Sequence, residues 1–312
     1  MRYSGDGGLA ALADIDLSSH IVFDVYGDMY ITDICNRRIR KVTTSTGIIS
    51  TAVGIGEMEF NGENILGTAT SIYEPSSIAC DSEGNLYYAD RYGGRIRKLT
   101  RSTGLVNTVA GTGASGVNEA NLDYVLALTA DITPTSLVID TSGDLYFVSG
   151  TSTGFRKLTM STGIITTIET NNHPDYLFID KAGNIYYTTD DSPLSGNGLY
   201  LQGKMFKIDK SSRLTAMVAN NLGTVFGFCV NDSGDIYVSE YNRNVIIKIS
   251  QFEDITAPPT LPPTPPPSLP PTTPPTPEPT RRPKSKPSLR LHGRRSTKEP
   301  LHRPPRGFSG PY

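Results

Sequence analysis

The side chains that most often bind metals or act as nucleophiles are few in this sequence. Before the C-terminal tail there are two histidines, His20 and His173, and three cysteines, Cys35, Cys80 and Cys229. A zinc site needs about three converging ligands, and neither an HxxxH nor a CxxC spacing occurs. We therefore predict no catalytic residue, no metal ligand and no cofactor site, and we expect Cys80 and Cys229 to be small buried residues. A calcium site with one ligand from each repeat stays open, because it would leave no local motif.

The strands and turns that would position a functional side chain are clearest in the stretch from Ser77 to Gly113. This stretch holds four short runs of apolar, aromatic or β-branched residues separated by turn sequences, which is typical of four antiparallel strands. Its first turn, Asp81-Ser82-Glu83-Gly84-Asn85, combines an aspartate that accepts backbone hydrogen bonds with a glycine that closes a tight reversal. No stretch has a convincing helical period.

Imperfect copies of this unit fill the chain from about residue 18 to residue 250. Because one small sheet cannot bury its own faces, copies of about 40 residues with four strands favour a β-propeller over a β-sandwich with similar turns. The glycine of the first turn marks each of five predicted blades: Gly27, Gly84, Gly143, Gly183 and Gly234. Blade five ends without a fourth strand in the sequence pattern. We therefore predict an all-β propeller over residues 1–252.

Four motifs resemble the repeats of the NHL family of β-propellers. They are the residues GDGGLA from Gly5, DSEGNLYYAD from Asp81, RIRKL from Arg95 and VAGTG from Val109. The resemblance covers about residues 5–250, is specific in blades one and two, and is weakest in blade four. It implies a ring that usually has six blades, so five recognisable units leave an incomplete ring as an alternative. It also implies a relationship to zinc-dependent lyases and to metal-dependent lactonases.

Antiparallel blades place the loops between strands two and three on the same face as the connections to the next blade. The three long insertions fall on this face: residues 55–74, 112–133 and 191–203. Because function tends to lie in loops held by a rigid scaffold, we predict that this face binds a partner. Its candidate binding residues are Arg37, Arg91, Arg95 and Arg243. Ordinary solvated loops would carry the same charges, so this alternative remains open.

The favoured function is a non-catalytic scaffold that presents this long-loop face to a protein or peptide. The alternative is a metal-dependent lyase or hydrolase, with zinc or calcium, of the kind that the resemblance implies. The missing nucleophile and metal signatures weigh against the enzyme.

Composition and charge change sharply at Pro258. The tail from this residue carries 10 Lys+Arg and 2 Asp+Glu, whereas the preceding residues carry 19 and 29. The acidic body disfavours phosphate binding, so nucleic acid is not the expected partner of the propeller. We predict a disordered tail over residues 253–312, whose PxxP elements are typical of ligands for SH3- or WW-like domains.

Residues 1–8 have no apolar core and do not resemble a signal peptide. They are typical of the loop that leads into a blade, so we expect the chain to begin inside a repeat. No later stretch is long and apolar enough to span a membrane as a helix. The sequence does not indicate a compartment.

Overall fold

The protein is described by a computed structural model over residues 3–114, 122–150, 154–168, 173–189, 203–240 and 243–250. These residues form five antiparallel sheets and three one-turn 3-10 helices, Ala10–Leu12, Gly67–Ala69 and Ala127–Thr129. Among them no helix is long and apolar enough to cross a membrane. The predicted all-β propeller with five blades is confirmed.

Each blade runs in chain order from its first, innermost strand outwards. Blade one contains β1 (Ile21–Phe23), β2 (Met29–Asp33), β3 (Arg38–Thr43) and β4 (Ile48–Val53). Blade two contains β6 (Pro75–Cys80), β7 (Leu86–Asp90), β8 (Arg95–Leu99) and β9 (Leu105–Ala110), with the two-residue β5 (Ile65–Leu66) added beside β9. Blade three contains β11 (Pro134–Ile139), β12 (Leu145–Ser149), β13 (Phe155–Thr159) and β14 (Ile164–Thr167), with β10 (Val125–Leu126) beside β14.

Blades four and five continue the same order. Blade four contains β15 (Pro174–Ile179), β16 (Ile185–Thr189), β17 (Gly203–Ile208) and β18 (Thr215–Leu222). Blade five contains β19 (Val225–Val230), β20 (Ile236–Glu240) and β21 (Val245–Ile249), and within the described residues it has no fourth strand.

The turn between strands one and two forms as its sequence predicts. In blade two the Asp81 Oδ1 accepts the backbone N–H groups of Glu83 (3.0 Å) and Asn85 (2.8 Å). Gly84 has φ +79°, and a Cβ there would lie 2.9 Å from side-chain atoms of both Arg101 and Tyr26. Glycine is therefore needed both for its backbone conformation and for the space that it leaves.

Each of blades two, three and four buries one face against the preceding blade and the other against the next. We call these the leading face and the trailing face. In the interface between blades two and three, the trailing residues Ala89 and Ile96 pack with the leading residues Leu137, Leu145 and Phe147, and all five are at most 1% exposed. Separate apolar clusters join blades one to two, three to four and four to five in the same way.

A pre-blade segment lies beside the outer strands of each of the first three blades, over residues 4–16, 61–73 and 122–133. A carboxylate anchors each one. Asp6 pairs with the fully buried Arg40 at 2.6 Å, whereas Glu63 pairs with the fully buried Arg97 at 3.4 Å and accepts the N–H of Thr108 at 2.7 Å. These segments close the gaps between neighbouring blades.

Two predictions about buried side chains have different outcomes. The tyrosine pair Tyr87-Tyr88 lies in the core at 3% and 0% exposure, as expected for packing rather than ligand stacking. Cys80 is partly buried, but Cys229 is exposed, so the prediction that it is buried is wrong. Among the described residues no further blade covers this side of blade five, which the residue type alone does not reveal. The predicted boundary at residue 252 and the tail 253–312 lie outside the described residues and stay predictions.

The repeat supplies a matched pair of isoleucines that tests the stacking. Ile96 and Ile246 hold the same position in the third strand of blades two and five, at 0% and 75% exposure. We expect Ile96→Ala to lower the free energy of unfolding by about 2–4 kcal/mol because it leaves a cavity, and Ile246→Ala to change it by less than about 0.5 kcal/mol. Chemical denaturation at low protein concentration measures both, and equal losses would contradict the stacking.

Candidate functional site

The long-loop face is organised by the residue that ends the second strand of each blade. In blade two the Asp90 Oδ1 accepts the backbone N–H groups of Tyr73 (3.0 Å) and Glu74 (2.9 Å), and the Arg91 N–H donates to the Glu74 carbonyl at 2.9 Å. These bonds tie the pre-blade segment to the loop between strands two and three, so both lie on one face. The turns between strands one and two and between strands three and four lie on the opposite face, where the Arg101 N–H donates to the Asn85 Oδ1 at 3.0 Å.

A side-chain acceptor at the end of the second strand anchors the pre-blade connection in blades one, two, three and five, but among the described residues not in blade four. Asp33 accepts the Asp16 N–H at 2.8 Å, the Ser149 Oγ accepts the Thr133 N–H at 2.9 Å, and Glu240 accepts the Gly223 N–H at 2.9 Å. Blade four has Thr189 at this position. Its Oγ1 is buried and has no hydrogen-bond partner among the described residues. Among the described residues, the anchoring hydrogen bond is therefore not formed in blade four.

Burial makes Asp90 an unusual carboxylate. It is 4% exposed, and desolvation raises its pKa to about 6, although the backbone N–H groups that it accepts and the nearby Arg97 oppose this rise. A charge taken out of water is disfavoured unless hydrogen bonds and opposite charges compensate it. The free-energy cost of burying Asp90 in this anchor therefore grows when its carboxyl group ionises.

Two of the four predicted arginines brace their own loops. Arg95 donates to the carbonyls of Gly93 (2.9 Å) and Thr112 (2.7 Å), and its guanidinium lies 3.9 Å from the centroid of the Phe60 ring. Arg37 donates to the Gly56 carbonyl at 3.5 Å. Both contacts brace a loop conformation and occupy some of the guanidinium donors.

The other two predicted arginines are more available. Arg91 pairs loosely with Glu74 at 3.4 Å, its side chain is 41% exposed, and it lies over the ring of Tyr92, which is itself 57% exposed. Arg243 pairs with Glu240 at 3.1 Å, and its side chain is 59% exposed.

In each of the first four blades, one side chain of the inner strand lies towards the propeller axis, whereas blade five has Gly227 at this position. The Ser77 Oγ accepts the Leu137 N–H at 3.0 Å, and the Ser136 Oγ accepts the Leu177 N–H at 3.1 Å, so each serine links its blade to the next. The equivalent residues are His20 in blade one and Tyr176 in blade four. Their rings stack with centroids 6.3 Å apart and planes inclined by 27°.

This axial pair was missed by sequence reasoning, which treated His20 only as a potential metal ligand. The signal that could have found it is positional: His20 and Tyr176, like the two serines, directly precede the first leading-face residue of their strands. Burial lowers the pKa of His20, and its Nδ1 is buried without a partner among the described residues. Burial raises the pKa of Tyr176, with Asp175 adding to the rise and Arg91 opposing it.

A cleft of about 150 Å³ opens beside Tyr176, between blades four and five. The buried hydroxyls of Thr188 and Thr189 line it, and neither has a hydrogen-bond partner among the described residues. Phe226, which is 49% exposed, also contributes to the wall. The remaining lining residues are Asp175, Gly203, Gly223, Thr224 and Val225. The cleft combines unpartnered hydroxyl groups with an apolar edge, as small-ligand and peptide sites do.

The described residues do not form the zinc site that the family resemblance implies. His173 is exposed, and His20 is partly buried and stacks on Tyr176. Within the described residues no group of three or more histidine, cysteine or carboxylate side chains is arranged to hold a metal ion. Most of the predicted long insertion 191–203, and residues 115–121 of the insertion 112–133, lie outside the described residues.

Neither a family model nor a curated protein matches the chain. Solved structures do. A protein of unknown function from Bacteroides thetaiotaomicron has a TM-score of 0.52 and 14% identity over 77% of this chain and 56% of that chain. Virginiamycin B lyase from Staphylococcus aureus has a TM-score of 0.48 and 15% identity over 75% and 66%. A gluconolactonase from Xanthomonas campestris has a TM-score of 0.45 and 12% identity over 77% and 69%.

The chain spans about two thirds of the length of the lyase and just over half of the Bacteroides protein. At these identities the likeness shows the β-propeller fold alone.

Replacing Asp90 by asparagine tests the cost of the buried anchor. Because the folded-state pKa is raised, the contribution of Asp90 to stability is fully present below pH 4 and is lost as the pH rises through about 6. Asparagine keeps an acceptor oxygen but does not ionise. We therefore expect the stability of Asp90→Asn relative to wild type to improve by about 1–2 kcal/mol between pH 5 and pH 8.

Denaturant titrations across this pH range measure the difference. The exposed Asp232→Asn serves as the control and should show no comparable trend, since Asp232 has a side-chain exposure of 77%. A difference between Asp90→Asn and wild type that stays constant with pH would contradict the raised pKa.

Proposed function

We propose that the protein is a non-catalytic binding scaffold whose long-loop face binds a protein or peptide partner around the cleft beside Tyr176. The observation that carries this proposal is the pair of buried threonine hydroxyls, without a partner among the described residues, in a cleft whose wall includes the half-exposed Phe226. A buried polar group without a partner is costly, so a ligand that supplies one gains affinity.

The long-loop face as a whole carries exposed residues of the types found at binding hot spots. Tyr92 and Phe226 are about half exposed, and Arg91 lies over the ring of Tyr92. Aromatic residues and arginine are enriched at the energetic centres of protein interfaces, because they bury a large area and still make directed polar contacts. Further exposed apolar side chains, Met58 and Phe60, lie in the pre-blade connection of the same face.

The cleft suits part of an extended peptide better than a large rigid ligand. Its volume of about 150 Å³ admits a small side chain or one peptide group. The hydroxyls of Thr188 and Thr189 both donate and accept hydrogen bonds, which matches the mixed donors and acceptors of a peptide group. The nearby Arg91 favours a peptide with an acidic residue, because opposite charges guide and orient binding.

We also propose that the blades are NHL repeats. The support is the repeated third-strand arginine, which is buried in blades one, two and three as Arg40, Arg97 and Arg156, together with the motifs that the sequence shares with that family. In the first two blades this arginine pairs with the carboxylate of a pre-blade segment, Asp6 or Glu63. The repeated arginine therefore has a structural role, and it does not line the cleft beside Tyr176.

The tail adds a separate proposal that rests on its sequence. Its PxxP elements, such as Pro262 to Pro265, would dock in the aromatic grooves of SH3- or WW-like domains as extended polyproline helices. These residues lie outside the described part of the chain.

A random peptide library displayed on phage provides the probe for the long-loop face. We expect selected peptides to share an acidic residue beside an apolar one, and to bind the double variant Arg91→Ala, Tyr92→Ala at least about tenfold more weakly than wild type. Adding Thr189→Val should weaken binding further, because it removes one hydroxyl of the cleft and nearly preserves the shape. Fluorescence polarisation measures the affinities.

Lys181→Ala is the matched control, because Lys181 is 83% exposed on the opposite, short-turn face. It should leave the affinities unchanged. Peptides that bind the double variant as tightly as wild type, or that lose affinity with Lys181→Ala, would refute the assignment of the face. Stoichiometric zinc or calcium in the purified protein, together with hydrolysis or elimination that depends on it, would favour an enzyme instead.

A further inference from the structure

The outer edge of blade four lacks a contact that the first three blades have. The two-residue strands β5 and β10 add to the fourth strands β9 and β14, and Leu9 forms an antiparallel bridge with Ile48 of β4. Among the described residues no strand pairs with the outer edge of β18. Only residues 168–173 join β14 to β15, whereas residues 54–74 and 111–133 precede blades two and three. Blade four therefore has no pre-blade segment of comparable length.

A groove of about 480 Å³ lies where such a segment would pack, between the trailing face of blade three and the leading face of blade four. In the junction between blades two and three, pre-blade residues such as Leu122 and Ala127, each 3% exposed, fill the corresponding space. The groove has an apolar floor, which is formed by Ile168, Ile179, Ile185 and Ile208.

One fourth-strand position shows what the groove leaves uncovered. In blades one, two and three it holds an apolar residue at 0% exposure, namely Ile49, Val106 and Ile165. The equivalent residue in blade four, Thr215, is exposed and lines the groove.

The backbone at this position also lacks a partner strand. In blade one the Gly7 N–H donates to the Ile49 carbonyl at 2.9 Å, and the Ile49 N–H donates to the Gly8 carbonyl at 3.0 Å. Thr215 holds the same register position against its third strand, so its N–H and carbonyl point outwards from the sheet. An open sheet edge of this kind pairs readily with another extended chain.

The residues that hold the carboxylate of a pre-blade segment are replaced in blade four. Asp6 and Glu63 each pair with the third-strand arginine of their blade, and Glu63 also accepts the N–H of Thr108 on the fourth strand at 2.7 Å. The cross-strand pair at the same positions of blade four is Phe206 and Met217. Phe206 is partly buried and Met217 is 40% exposed. Blade four thus offers an apolar surface where blades one and two bind a carboxylate.

The opposite exchange occurs at the turn between strands three and four. A Cβ added to Gly47 or Gly104 would lie 3.9 or 3.6 Å from the Cδ2 of Leu9 or Leu66, the pre-blade leucine of the same blade. The equivalent residue in blade four is Arg213, which keeps the left-handed backbone of these glycines at φ +60°. A cation therefore stands where the other turns lie against a leucine.

The charges that line the groove favour an acidic occupant. Arg213 and Lys210 are exposed and form no ion pair among the described residues. Lys157 pairs with an aspartate of its own blade at 2.7 Å. The carboxylates of Asp140 and Asp209 accept hydrogen bonds within their own turns. Opposite charge on a partner would be oriented by the two cations that have no ion pair.

We propose that an extended peptide segment of a partner protein binds this groove by adding a strand to the edge of β18. The peptide carries an apolar side chain against Phe206 and Met217 and an acidic side chain three residues later, over Arg213. Main-chain hydrogen bonds supply affinity, and these two exchanges relative to the pre-blade segments supply selectivity. The site lies apart from the cleft beside Tyr176 and does not depend on the function proposed for the long-loop face.

A synthetic peptide of residues 122–133 that carries Asp123→Leu and Leu126→Glu is the probe for the full chain. It has the apolar and acidic residues in the proposed order on the backbone of a pre-blade segment. We expect the unchanged peptide of residues 122–133 to bind at least about tenfold more weakly, because it places Asp123 on the apolar pair. Fluorescence polarisation measures both affinities. Equal affinities, or no binding of the exchanged peptide, would overturn the proposal.

Two variants of the protein restore the internal residues one position at a time. Arg213→Gly should move the preference at peptide position 126 from Glu towards Leu by about tenfold, and Met217→Thr should move the preference at position 123 from Leu towards Asp. Each variant should leave the other preference unchanged. Lys181→Ala is the control, because it removes an exposed cation of the same blade that does not line the groove. A loss of affinity with Lys181→Ala equal to that with Arg213→Gly would refute the acidic contact.

Hydrogen exchange mapped by mass spectrometry gives an independent readout of strand addition. The amides of β18 should exchange at least about tenfold more slowly when the exchanged peptide is bound. Protection of β18 in the free chain that the peptide does not increase would overturn the proposal. Such protection would assign the edge to a second copy if it grows with protein concentration, and to residues of the same chain if it does not.

Discussion

A sheet of four short strands has two apolar faces and cannot bury either alone, and the rest of the structure depends on this constraint. Stacking blades radially satisfies it for every internal face, with residues such as Ile96 and Leu137 almost completely removed from water. At roughly 25 cal/mol for each Å² of apolar surface buried, these junctions dominate the stability of the series. Within the described residues, the first face of blade one and the last face of blade five carry apolar side chains such as Ile21 and Ile246 without this cover.

The fold was predictable because its signals are local. The aspartate and glycine of the first turn lie within five residues of each other, and the strand that follows is identified by its composition. The burial of Tyr87 and Tyr88 follows once that strand is known to be covered on both sides. The faces were predictable too, since antiparallel order alone decides which loops lie together. No feature of this kind needs knowledge of a distant residue.

The site was less predictable because it depends on contacts between distant parts of the chain. His20 and Tyr176 lie in blades one and four, and nothing in either local sequence announces their stacking. Arg37 and Arg95 donate hydrogen bonds to loop carbonyls that only the fold brings close, and their predicted role in binding a partner stays a prediction. Cys229 was expected to be buried, but its exposure is set by the absence of a covering blade, which residue type does not encode.

The candidate site lies where the repeat departs from its own rule. Serine links neighbouring inner strands at Ser77 and Ser136, but the equivalent residues in blades one and four are histidine and tyrosine. A carboxylate or serine anchors the long loops elsewhere, but blade four has Thr189, whose hydroxyl has no partner among the described residues. Regular positions are constrained by stacking and cannot vary without loss of stability. A side chain that is not required for the fold can therefore occupy only a position where one blade lacks a repeated contact. Blade four lacks two such contacts beside one cleft, because Tyr176 replaces the linking serine and Thr189 replaces the anchoring carboxylate or serine.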